Sequence, residues 1–110
     1  MNSFKYGSVK ISNDIIDQLI AETVLRVDGI NEVIGYKDQV LDFKKKDSIV
    51  SVINGDTMTT AVTVNIDEDR NIQKVCENAQ KEVIKQIRTM LGLRVTKVNI
   101  IVNDLVKVGQ

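Results

Sequence analysis

The sequence predicts an α+β domain in the order β-α-β-β-α-β, with a small antiparallel or mixed sheet and two helices packed on one of its faces. Three stretches carry this prediction. Met58 to Ile66 alternates strictly, with Met58, Val62, Val64 and Ile66 on one side and Thr57, Thr59, Ala61, Thr63 and Asn65 on the other. Asn71 to Leu91 follows helical spacing. Ile72, Val75, Cys76, Ala79, Val83, Ile87, Met90 and Leu91 share one side, and Lys74, Glu77, Lys81, Lys85 and Arg88 the other. Val95 to Val102 alternates again, setting Val98, Ile100 and Val102 against Val95, Lys97, Asn99, Ile101 and Asn103.

The remaining elements follow in chain order. Ser8 to Ser12 has period two and reads as a short first strand. Ser12 or Asn13 caps the next helix, with Asp14 and Asp17 in its first turn, where negative charge is favoured. Ile15, Ile16, Leu19, Ile20, Val24 and Val27 form its apolar face, and Asp28-Gly29 ends it. Ile30 to Asp47 reads as a loop or a short irregular strand, and the run Lys44-Lys45-Lys46 as a solvated loop. Ser48 to Ile53 is a β-rich run, and Asn54-Gly55 signals a hairpin. A loop of three residues through Asp56 would set Val52 opposite Met58 and Val50 opposite Thr60, apolar against apolar. Asp67-Glu68-Asp69 forms an acidic turn ahead of the second helix, Gly92 stops that helix, and Leu93 is placed for a hydrophobic contact at its end.

At 110 residues the chain is one domain, residues 1–110, large enough to fold without staples. A lone cysteine, Cys76, forms no internal bridge. Fifteen basic and fifteen acidic residues leave no net charge, which argues against non-specific nucleic-acid binding. No apolar run is long enough to span a bilayer, and Met1-Asn2-Ser3-Phe4-Lys5-Tyr6 is not the start of a signal peptide. The default location is therefore the cytoplasm, without direct membrane insertion and with any membrane association made through a partner.

Catalytic chemistry is poorly supplied. Histidine is absent, which removes the commonest general base and a common zinc ligand. Cys76 lies on an apolar helix stripe and reads as a small core residue. The acidic turn lacks the spacing of a calcium loop, and no glycine-rich phosphate loop is present. No catalytic, cofactor-binding or metal site is assigned. Sheet-based RNA readers stack bases on aromatic residues of an open sheet, and none of the predicted strands carries one.

The chain resembles the alkaline shock protein and Gls-type envelope stress response family of Gram-positive bacteria. The resemblance rests on Gly7-Ser8-Val9-Lys10-Ile11-Ser12 leading into a helix and on the exit Val27-Asp28-Gly29-Ile30. It rests most on Val75 to Val102, with Gln80, Val83, Ile87, Met90-Leu91-Gly92-Leu93, Val95 and Lys97-Val98-Asn99-Ile100-Ile101-Val102. The family often has proline where Asp28 stands, and Gly and Pro ahead of the second helix where Asp67 to Asn71 stand. The resemblance implies a cytoplasmic, non-enzymatic protein of cell-envelope homeostasis and alkaline or general stress. It implies self-association and a membrane-anchored protein partner. Links of some members to fatty-acid metabolism imply the alternative of a regulatory module for an acyl ligand. An RNA-binding module is the third reading.

If both helices cover the face bearing Val50, Val52, Met58, Val62, Val64, Val98, Ile100 and Val102, the other face stays open. It would carry Thr59, Ala61, Thr63, Val95 and Ile101, with Ile49 and Ile53 on the hairpin partner. That surface is the candidate protein–protein contact, most simply with a second copy. The competing expectation is that Leu105-Val106-Lys107-Val108 fold back over it.

Overall fold

In chain order the elements are β1 (Ser3–Phe4), β2 (Gly7–Ser8), α1 (Asn13–Leu25), β3 (Ile30–Val33), β4 (Tyr36–Lys37) and β5 (Val40–Leu41). A kinked 3₁₀ stretch (Phe43–Ser48) leads to β6 (Ile49–Asn54), β7 (Thr57–Asp67), α2 (Ile72–Leu91) and β8 (Arg94–Val106). The computed structural model describes residues 3–4 and 6–108. Met1, Asn2 and Lys5 of the N-terminal reading, and the side chain of Lys46 in the lysine run, lie outside the described residues.

The fold is α+β, built around β7. One edge of β7 carries β8, parallel along its whole length from Thr57↔Arg94 to Asp67↔Val106. The parallel pairing needs a long crossover, which α2 supplies with its 20 residues. The other edge of β7 is shared end to end. Antiparallel β6 takes Thr57 to Val62 and antiparallel β3 takes Val64 to Ile66. β3 continues into β4 and β5 as a meander, so the sheet is mixed.

Both helices cover the same face of this sheet. Ile16, Ile20, Ala21 and Val24 of α1 and Val75, Ala79, Val83 and Ile87 of α2 are buried against Met58, Val62, Val64, Ile66 and Val98. Ser12 and Gly92 act as the sequence predicts, whereas α1 closes at Arg26 rather than at the expected Asp28-Gly29, and Asn71 is a cap the sequence reading did not name. Ser12 accepts from the amide of Ile15, Asn71 accepts from that of Lys74 at 3.0 Å, and α2 ends at left-handed Gly92 with Leu93 buried behind it. Ile15, Ile72 and Met90 are exposed, so the buried stripes are narrower than predicted. Asp69 does not sit in the first turn of α2; it meets Arg70 at 3.6 Å, and Arg70 also pairs with Asp28 at 2.6 Å.

Four expectations require correction. Ser8 to Ser12 is not a strand of the main sheet; only Ser8 is in β2, which pairs with β1 alone. Ile30 to Asp47 holds three short strands, because Ile30 and Val33 find core partners in Ile66 and Val64 that no local pattern announces. The hairpin loop is Gly55-Asp56, with Asn54 opposite Thr57 and Ile53 opposite Met58. Gly55 takes φ +65° at the first central position, and Asn54 stays in the ladder. The register is thus one residue from the expected one, which turns Ile49 and Ile53 toward the core and Val50 and Val52 away from it. Finally, Leu105 and Val106 do not fold back. They extend β8 opposite Ile66 and Asp67.

Candidate interaction surface

The face of the sheet turned away from the helices is built from rungs across three strands. Val52, Thr59 and Lys97 form one rung, and Val50, Ala61 and Asn99 the next. Thr63 and Ile101 form the third. Neither helix reaches this side, so Val50, Val52 and Ile101 stand 45%, 58% and 50% exposed. Aliphatic side chains on three adjacent strands at such exposure make a contiguous patch rather than scattered single residues.

Thr59, Ala61, Thr63 and Ile101 are brought together here as the sequence predicts. Val95 is not. β8 carries a bulge between its pairings with Met58 and Thr59, so Val95 faces the core opposite Met58 while Lys97 faces out. Val95 is 7% exposed and belongs to the core cluster. The residues the sequence reading missed are Val50 and Val52, displaced by the register shift just described. The Gly55-Asp56 loop was the available signal, since a Gly-X pair is a recognised hairpin loop in its own right.

A polar ladder closes one end of the patch. Asn65 donates to Glu32 Oε1 at 2.9 Å and accepts from Asn103 at 3.2 Å. This bonding across β3, β7 and β8 explains how Asn65 is buried on an otherwise open face. Bulges at Asn31 in β3 and at Asn103 in β8 flank it on either side.

The outer edge of β8 pairs with no strand among the described residues. Its two bulges and Lys97 interrupt the flat run of backbone groups that edge-to-edge pairing needs. The edge is therefore poorly suited to strand-to-strand pairing.

Other chemistry-bearing groups are modest. Cys76 is half-buried against the core, and burial pushes its thiol up from its ordinary range. A cavity of about 30 Å³ lies among Asp14, Asp17, Gly35, Leu41, Asp42, Lys45 and Ile49. It matches the volume of one water rather than a ligand. Asp17 Oδ1 is buried without a hydrogen-bond partner. Burial pushes the Asp17 carboxyl up, opposed by a hydrogen bond from Ser51 and reinforced by Asp14. Among the described residues no group of three or more His, Cys, Asp or Glu side chains is placed to hold a metal ion. No helix of the described residues is long and apolar enough to cross a membrane.

The sequence model of the alkaline shock protein family, described as having a cell envelope-related function, matches residues 1–107. The chain belongs to this family. It is the family that the sequence resembles. Among curated proteins none matches the chain. Solved structures of similar fold include MamM-CTD 215-293, at 17% identity and a TM-score of 0.61, covering 84% of this chain and 99% of that one. A manganese form of a MamM CTD variant is similar at the same identity, TM-score and coverages. At such identity the likeness shows the fold alone.

Proposed function

We propose that this member of the alkaline shock protein family is a non-enzymatic adaptor that self-associates through the open face of its sheet and serves cell-envelope homeostasis and stress tolerance. The observation that carries the reading is the aliphatic patch of Val50, Val52, Ala61 and Ile101, uncovered by either helix and by the C-terminal strand. Burying such a patch against a second copy removes apolar area from water on both protomers at once. The space between helices and sheet argues in the same direction. Ile16, Ile20, Met58, Ile66 and Ile87 fill it at less than 2% exposure, as suits a scaffold better than an acyl-chain carrier. Attachment to the membrane, in this reading, runs through a membrane-anchored protein partner.

Ile101→Glu tests the reading by sedimentation velocity. A carboxylate there meets solvent in the monomer but an apolar surface in the assembly. The wild type is expected to sediment as an oligomer at micromolar concentration and the variant as a folded monomer with an intact far-UV spectrum. A wild type that stays monomeric at high micromolar concentration refutes self-association.

A further inference from the structure

The charges of β7 and β8 are sorted along the strands. β7 holds a single charged residue, Asp67, at its C-terminal end. β8 holds Arg94 and Lys97 near its start and Asp104 near its finish. Arg94 lies opposite Thr57 and Lys97 opposite Thr59, while Asp104 lies opposite Asn65. Thr57, Thr59, Asn65 and Asp67 all belong to the open side of β7, because Met58, Val62, Val64 and Ile66 point into the core. The open face of this strand pair thus runs from a basic end, through Ala61, Thr63, Asn99 and Ile101, to an acidic end. The outer strands leave this polarity in place, since β6 has no charged residue and Glu32 of β3 lies opposite Asn65 at the acidic end. Lys107 follows beyond the end of β8.

Resting on the self-association reading above, we infer that the partner is a second copy laid face to face with its strands reversed, so that Lys97 of each copy meets Asp104 of the other. The midpoint between the Thr59 and Asn65 rungs is Val62. A two-fold axis crossing the strands at that level brings the two rungs over one another. It keeps β8 over β8, sets Lys97 on Asp104, brings Arg94 near Asp67, and lays Val52 over Glu32 of the other copy, whose carboxylate already accepts from Asn65. The patch of Ala61, Thr63 and Ile101 lies at the centre, where an apolar contact is most fully desolvated, and the charges lie toward the rim. Packing with the strands running the same way is disfavoured. It would lay β8 on β6 and β3, leaving Lys97 against Val52 and Asp104 against Glu32.

Charge reversal tests the orientation. Lys97→Glu and Asp104→Lys each turn two symmetric contacts repulsive, so each is expected to raise the dissociation constant on the order of tenfold. An equimolar mixture of the two variants sets the introduced glutamate against the introduced lysine at one contact and leaves the native pair of Lys97 and Asp104 at the other. The mixture is expected to regain wild-type association. Sedimentation velocity reads all four samples, with far-UV spectra confirming folded chains. Association lost in each variant and restored in the mixture supports the reversed packing. A self-associating wild type whose single variants behave like it, or whose mixture is not restored, overturns the orientation and leaves the open-face reading standing. A monomeric wild type overturns both.

Discussion

Gly29→Ala is expected to be among the most damaging small substitutions in this fold. Gly29 follows α1 and adopts φ +98°, a conformation that costs a residue with a side chain about 1–3 kcal/mol. Its carbonyl accepts from the amide of Asp67 at 2.9 Å, which ties the turn to the end of β7 and hinders relaxation. An added Cβ would lie 2.6 Å from Cγ2 of Val75, a buried residue in the first turns of α2. Relieving that overlap means shifting a packed helix, at about 1–3 kcal/mol. Together the two effects amount to about 2–6 kcal/mol, a large share of the about 5–15 kcal/mol typical of a domain. Urea unfolding followed by circular dichroism measures the loss. The double variant Gly29→Ala/Val75→Ala separates the causes, because it removes the overlap and leaves the backbone strain. Its cost is expected to fall short of the summed single costs by about 1–2 kcal/mol. A Gly29→Ala protein within about 0.5 kcal/mol of wild type, or strictly additive costs, would refute the reasoning.

Further expectations bear on register, core and titration. Ile49→Asp should cost several kcal/mol while Val50→Asp costs the monomer little, since the observed register buries the first and exposes the second; equal effects in urea melts at concentrations dilute enough to keep the chain monomeric would discredit that register. Val83→Asp places an unpaired carboxylate under α2 and should cost several kcal/mol or prevent folding, and a stable variant would mean the buried side of α2 is misassigned. Cys76 should react slowly with a thiol reagent in the native protein and quickly in denaturant, and fast native labelling would contradict its packing against the core. The Asp17 carboxyl has a raised folded pKa, so its ionisation opposes folding. The stabilising effect of its protonation is fully present below the unfolded value and is lost as pH rises through the folded one. Asp17→Asn should therefore raise stability at neutral pH and lose that advantage in acid, where a gain independent of pH would point to another cause.

Local rules made much of this protein legible. The strict alternation of Met58 to Ile66 and the helical spacing of Val75, Ala79, Val83 and Ile87 each set one face of an element without reference to anything distant. The caps Ser12 and Gly92 act within a few residues of themselves, so they too are visible in the chain. Thr59, Ala61, Thr63 and Ile101 were placed correctly for the same reason. Register obeys no such local rule. A strand has period two, so one residue more or less in a turn or bulge exchanges its faces. That is how Val50 and Val52 came to the open face and how Val95 was lost from it. The strands between Ile30 and Leu41 were hidden because their partners lie across β7, far along the chain. The sequence determined both helices, the hairpin strands and β8 as elements, the buried face of β7, and the lack of histidine. The tertiary structure alone decided which charges share the open face and at which end, because Asp67 and the charged residues of β8 are set side by side only by a parallel pairing across the whole of α2.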